Sequence, residues 1–374
     1  MHVAINAVFL SPPMGGIETY LRELCRELLR RPDAPRLTVF LNPEGHAKLA
    51  AEDWASAAEL VALPRLGRPG LRSITELTAL GPMADRRGAD VIHSVALTGP
   101  LASRARRVVT IADTVWITMP DGSMTARLWR VEVPLVTRRS HRVVAISHAG
   151  GAEVRAHLGV AGDKLDVVPL GYGTPAAGAP VTGEAELRER LGLGVGPIVL
   201  NVGQKKPHRN LERLISAFAQ ARPDVPGAVL VLPGPPNAEA EAALRAHAGR
   251  AGVGDAVVIP GFLEATDLEG LYAAASAFVL PSLVEGFGLP VLEAMARAIP
   301  VACSRDSAPG EVAGDAALSF DPQSADEIAD AIRALLTDPA LQARLGAAGP
   351  PRAAEFTWAR CAEETLDVYR RALA

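Results

Sequence analysis

Glu285 and Glu293 stand eight residues apart in the run Pro281-Ser282-Leu283-Val284-Glu285-Gly286-Phe287-Gly288-Leu289-Pro290-Val291-Leu292-Glu293. Pro290 suits the first position of a helix, where its missing N–H would be unpaired anyway, and Gly286 and Gly288 let the preceding backbone come close to a ligand. A helix start offers free N–H groups and a positive dipole end to a phosphate. On this spacing Glu293 is expected in the first helical turn and Glu285 on the loop before it. A phosphate repels carboxylates, so a pair held beside one must contact something else. Ionised carboxylates only accept hydrogen bonds, which points to hydroxyl groups such as those of a ribose and a hexose. The run reads as a nucleotide-sugar site.

A second stretch of interest is Val202-Gly203-Gln204-Lys205-Lys206-Pro207-His208-Arg209-Asn210-Leu211, three cations and a histidine between an apolar run and a helical pattern. It is either an anion-binding loop or a surface loop with solvated charges. Pro12-Pro13-Met14-Gly15-Gly16-Ile17-Glu18-Thr19 links the first apolar run to the first helical pattern and reads as a ligand loop or a tight turn. Asp113 follows the apolar run Arg107 to Ile111, where it can orient a hydroxyl as a base or cap a helix.

The elements that must position these residues alternate strand and helix. Val3 to Leu10 is followed by Ile17, Tyr20, Leu21, Leu24, Leu28 and Leu29 on one helical face. Further strands are expected at Leu37 to Leu41, Val91 to His93, Arg107 to Ile111, Val143 to Ile146 and Leu165 to Val168. Residues 171 to 180, rich in Gly, Pro and Ala, read as a linker. A second series follows: strands Ile198 to Val202, Val229 to Leu232, Val257 to Ile259, Ala277 to Leu280 and Ile299 to Cys303, with helices from Leu211, Ala238 and Thr266 and across the acidic run. Helices at Asp326 to Leu336 and Trp358 to Leu373 close the chain. The pattern predicts two doubly wound parallel α/β domains, whose ligands bind beyond the carboxyl ends of the strands, so that a facing pair makes a cleft.

Length and composition agree. The 374 residues suit two domains, and 49% apolar with 4% aromatic content implies cores of Ala, Val and Leu. Cys25, Cys303 and Cys361 have no metal-ligand spacing and read as reduced, buried thiols of a cytosolic protein. The first residues read as a strand rather than a signal peptide, and no run approaches a membrane span. Residues 1–175 carry a net +4 and the remainder −8. Nucleic-acid binding is not suggested, because the total charge is negative and no basic and aromatic residues interleave. Arg127, Arg130, Arg138, Arg139 and Arg142, among Leu128, Trp129, Val131, Val133, Leu135 and Val136, form either an ordinary half-exposed helix or a surface able to rest on an anionic bilayer.

The acidic run, with its P-S-x-x-E-G-F-G-L-P-x-x-E-A-M-A context, resembles the E-x7-E element of the retaining glycosyltransferases of family 4, which have the GT-B fold. The resemblance covers nearly the whole chain. It implies an N-terminal acceptor-binding domain at 1–172, with a C-terminal helix, 356–374, packing back on it, and a nucleotide-sugar-binding domain at 173–355. It further implies that Glu293 binds the ribose and Glu285 lies beside the transferred sugar, while Gly286, Phe287, Gly288 and Leu289 hold the diphosphate and sugar by backbone groups. Gly15 and Gly16 would approach the donor phosphates. After Gly203, Arg209 takes the place of the family's Lys, and Lys205 or Lys206 is the second cation, since Gln204 stands where some members carry Arg. Ala112 replaces a histidine that many members have before the Asp. Asp113 is kept as the candidate acceptor base.

The resulting expectation is a metal-independent enzyme without a cofactor. It would move a hexose, first of all mannose from GDP-mannose, to a glycan, lipid-linked or small-molecule acceptor in polysaccharide biosynthesis. The setting expected is the cytoplasm, with peripheral contact at the inner membrane face. A catalytically degenerate binding subunit, suggested by Ala112, and a GT-B sugar-nucleotide epimerase are the alternatives.

Overall fold

A computed structural model describes residues 1–10, 15–64, 69–173 and 180–374. Ser11 to Met14 of the Gly-Gly loop and residues 174–179 of the expected linker lie outside the described residues. The chain divides into two compact units, Met1–Gly171 with Phe356–Ala374, and Tyr172–Glu355.

The first unit is built on a parallel sheet of seven strands among the described residues: β1 (His2–Ala7), β2 (Arg36–Leu41), β3 (Glu59–Ala62), β4 (Val91–Ser94), β5 (Arg106–Ile111), β6 (Arg142–Ala145) and β7 (Leu165–Val167). Their order is β3-β2-β1-β4-β5-β6-β7, so the winding reverses between β1 and β4. Ile5 of β1 is in register with Val39 on one side and His93 on the other. All six residues of β1 are buried, as helices on both faces of a parallel sheet require. The helix Gly16–Arg30 lays Tyr20, Leu21, Leu24, Cys25 and Leu28 against the core. The C-terminal helix Trp358–Leu373 packs on it, with Tyr20 and Trp358 stacked and the Tyr369 hydroxyl 2.7 Å from His93 Nδ1. Gly171 marks where the chain leaves this unit. A Cβ there would lie 2.2 Å from the Trp358 nitrogen, so only glycine lets the outgoing chain pass the returning helix.

The second unit carries β8 (Ile198–Leu200), β9 (Val229–Val231), β10 (Val257–Val258), β11 (Ala277–Leu280), β12 (Val301–Ser304) and β13 (Leu318–Phe320), again parallel, in the order β10-β9-β8-β11-β12-β13. Here the winding reverses between β8 and β11. Phe278 pairs with Leu200 on one side and Val301 on the other. The helix Leu211–Ala221 buries Leu214, Ile215 and Phe218 against the sheet in company with Ile328, Ile332 and Leu335 of the helix Ala325–Thr337.

The sequence reading missed the helix Pro339–Ala353, because Pro350 and Pro351 fall inside its end. It supports the acidic run directly. Gly349 and Gly346 sit against the carbonyls of Met295 and Ala298, where a Cβ would come within 2.7 and 2.9 Å of oxygen. Strands β3 and β13 were also missed. Both are short edge strands with too few buried positions to show alternation. No described helix is long and apolar enough to cross a membrane.

Candidate active site

In the second unit, the loops after β8 and β11 meet at the carboxyl side of the strand pair where the winding reverses, the place where open parallel sheets bind ligands. They are tied by backbone and side-chain bonds. The Leu283 N–H donates to the His208 carbonyl at 2.8 Å, and Asn210 Nδ2 donates to the carbonyls of Pro281 at 3.0 Å and Pro322 at 2.7 Å. Asn210 adopts a left-handed conformation (φ 59°) that a short amide side chain tolerates, which ends the turn Pro207–Arg209 and starts the helix at Leu211.

Across this junction Arg209 Nη1 donates to Glu285 Oε2 in a short ion pair, and the Ser282 hydroxyl donates to the same oxygen at 3.2 Å. Two residues that lie far apart in the sequence, Arg209 and Glu285, are thus brought into contact. Arg209 Nε is buried and has no hydrogen-bond partner. Gly203 lies beside this guanidinium, its hypothetical Cβ 3.6 Å from Arg209 Cζ. The carbonyl of Gly203 in turn presses on Gly234, where a Cβ would be 1.9 Å from it.

The two lysines separate. Lys205 is buried, its ammonium donating to the Gly234 carbonyl at 3.2 Å with Glu241 at 3.8 Å, and burial holds its pKa below the ordinary lysine value. Lys205 therefore fastens the loop to the next one. Lys206 is exposed. His208 is kept neutral, its pKa lowered to about 4 by burial and then by Arg209 and Lys206.

The helix after β11 begins one residue earlier than the proline suggested. It runs Leu289–Ala296 with Gly288 as its N-cap, so Pro290 is its second residue and Glu293 lies in the second turn instead of the first. Gly288 takes φ 107°, and its missing side chain faces Pro309, 3.2 Å from a built Cβ. Phe287 is buried, and Gly286 is buried beside it.

Glu293 is held by residues that sequence reasoning did not find. The Tyr272 hydroxyl donates to its Oε2 at 2.7 Å. Arg297, one turn on, donates to the Glu293 carbonyl at 2.6 Å, grips Glu269 with two bonds of 2.9 and 2.6 Å, and lies 4.7 Å over the Tyr272 ring. Burial raises the Glu293 pKa, while the Tyr272 bond and Arg297 pull it back down. The available signals were the three-residue spacing of Glu269 and Tyr272 and the four-residue spacing of Glu293 and Arg297, which place each pair on one helical face.

In the first unit, Gly15 caps the helix Gly16–Arg30 with φ 64°, and both Gly15 and Gly16 are exposed. Asp113 Oδ1 accepts from the Val115 N–H at 3.1 Å, at the start of the short helix Val115–Thr118. Ser147 caps the helix His148–Leu158 after β6.

Comparison with known proteins places this geometry in a family. Residues 14–174 match the model for Glycosyltransferase Family 4 and residues 184–352 that for Glycosyl transferases group 1. Over 363 residues the chain is 29% identical to the GDP-mannose-dependent alpha-(1-6)-phosphatidylinositol monomannoside mannosyltransferase of Mycolicibacterium smegmatis, covering 90% of each chain. A shorter match, 43% identical over 110 residues and 29% of each chain, is to O-antigen chain mannosyltransferase B of Escherichia coli. Among solved structures, HepE of Anabaena in complex with UDP and glucose superposes with a TM-score of 0.78 at 20% identity, over 99% of this chain and 100% of that one. WaaG, a glycosyltransferase involved in lipopolysaccharide biosynthesis, gives 0.74 at 18% identity over 98% and 99%. The two family models, the parallel-sheet units and the shared fold together make this chain a family 4 glycosyltransferase of GT-B fold.

Proposed function

We propose that the enzyme is a retaining mannosyltransferase that moves mannose from GDP-mannose to a hydroxyl of a glycan or lipid-linked acceptor and requires no metal ion. The observation that carries the reading is the Arg209–Glu285 pair at the strand reversal between β8 and β11. A diphosphate arriving there replaces the Glu285 carboxylate as the partner of the guanidinium fork. Charge-assisted bonds of this kind stabilise the negative charge that develops on a departing nucleoside diphosphate. Lys206 supplies the second cation from the exposed side of the loop. Glu285, released from Arg209, stabilises positive charge on the sugar carbon. Glu293 accepts from the ribose hydroxyls. Asp113 is the acceptor-side carboxylate, and its hydrogen bond to Val115 fixes its rotamer. The mannosyl assignment is supported by the names of the relatives, one of them GDP-mannose-dependent.

The test is to incubate the enzyme with GDP-mannose, UDP-glucose or UDP-galactose and a mannoside acceptor, with and without EDTA, and to read the new linkage by NMR. The expected product is an α-mannoside from GDP-mannose alone, formed equally with chelator. A β-linked product, preference for a uridine donor, or activity abolished by EDTA and restored by Mg²⁺ overturns the corresponding part of the proposal.

A further inference from the structure

The helix Met124–Arg139 has two apolar faces. Ala126, Val133 and Val136 are buried, Val133 and Val136 in the core of the first unit. Met124, Leu128, Val131 and Leu135, spaced four, three and four, fall on the opposite face, a spacing that aligns side chains along one stripe. Met124, Val131 and Leu135 are 61%, 64% and 44% exposed. Beside this helix runs Pro69–Ile74, joined to it where the Ser73 hydroxyl donates to Glu132 at 3.2 Å, and it contributes Leu71 and Ile74 at 50% and 59% exposure. Large apolar side chains clustered on a surface mark an interaction site.

The charges on these segments are sorted by face. Between Pro69 and Leu80, and between Met124 and Arg139, the only carboxylates are Glu76 and Glu132, and both are buried. Arg127, Arg130, Arg138 and Arg139 are all exposed, and among the described residues none of them pairs with a carboxylate. An apolar stripe framed by four unpaired arginines, with its acids turned inward, is complementary to a surface that is apolar inside and negative outside. A second copy of the same face would set arginine against arginine.

We propose that this face docks on an anionic phospholipid bilayer, Met124, Val131, Leu135, Leu71 and Ile74 entering the interface while the arginines meet lipid phosphates. The inference goes beyond the donor reading and does not rest on it, since vesicle binding needs no sugar transfer.

The experiment is co-sedimentation of the full chain with phosphatidylcholine vesicles, with or without roughly a third of phosphatidylglycerol, a share large enough to give a negative surface potential. The wild type should pellet with the anionic vesicles, stay in solution with the neutral ones, and be released by salt. Arg127→Gln/Arg130→Gln/Arg138→Gln should weaken binding on the order of a hundredfold, at about fivefold per arginine. Val131→Ser/Leu135→Ser should also weaken it, with an unchanged melting temperature and unchanged transfer to a soluble acceptor. Failure of the wild type to bind anionic vesicles, equal binding to both vesicles, or full binding by either variant overturns the proposal. So does a concentration-dependent dimer that Val131→Ser/Leu135→Ser abolishes while vesicle binding persists, which would assign the face to a second copy.

Discussion

The Arg209–Glu285 contact changes what substitution at the two acidic residues should do. Glu285 neutralises Arg209 in the absence of a ligand, so Glu285→Gln leaves the guanidinium with less internal competition for a diphosphate. Titration calorimetry should find nucleoside diphosphate affinity retained or increased in Glu285→Gln, with transfer cut severely. Glu293→Ala should weaken the same affinity roughly tenfold to a hundredfold, the loss of one charged hydrogen-bond partner. Equal losses of affinity in both variants would contradict this division. Tyr272 offers a finer probe, because its hydroxyl lowers the pKa of a carboxylate that burial raises. Removing it in Tyr272→Phe lets the Glu293 pKa climb further, so a larger share is protonated at a given pH and cannot accept from ribose. The acidic limb of the nucleotide-binding pH profile should move to higher pH in Tyr272→Phe, and affinity well above that limb should change little. An unshifted limb would remove Tyr272 as a positioning residue.

At the scale of elements, the two α/β series were legible because buried parallel strands are short apolar runs and their helices carry one apolar face. The strand Ala277–Leu280 and the helix Trp358–Leu373 were read at their observed limits. What escaped was set by tertiary contact: the double-proline helix Pro339–Ala353, the edge strands, and the network around Glu293. The two lysines illustrate the limit well. Lys205 and Lys206 are identical in type and adjacent, and only the neighbouring loop, through Gly234 and Glu241, decides which one is buried. Another feature without a sequence signal is the π-helical turn Thr75–Ala79, which holds Glu76 fully buried. Thr98 donates to Glu76 in a short bond and Arg72 lies 3.4 Å away, yet burial outweighs both and raises the Glu76 pKa to about 7. Its proton is therefore held more tightly in the folded than in the unfolded chain. The stability this gives is complete below the unfolded-state value, near 4.3 for a free Glu, and is lost as pH rises through about 7. Buried His93, its pKa lowered to about 3, works in the opposite direction below its ordinary range, so the wild-type curve alone is ambiguous. The difference between wild type and Glu76→Gln isolates the Glu76 contribution. In thermal unfolding from pH 5 to pH 8 the wild type should lose stability relative to the variant, and parallel curves would contradict the assignment.

For the molecule as a whole, each unit reverses its winding once, between β1 and β4 in the first and between β8 and β11 in the second. In the first unit, β1 leads into the helix capped by Gly15 and β4 carries Ser94 at its end; in the second, β8 and β11 lead to Arg209 and Glu285. The charge asymmetry between the two parts of the chain fits the proposed division of duties, with the outward arginines on the first unit and the proposed donor loops on the more acidic second. Binding of the donor diphosphate at the second reversal would be seen at once in a crystal structure of the enzyme with GDP. The diphosphate should lie within hydrogen-bond reach of Arg209, with the guanidinium turned away from Glu285 and the ribose hydroxyls on Glu293. GDP bound elsewhere, with the Arg209–Glu285 pair intact and Glu293 bonded only to Tyr272, would contradict it.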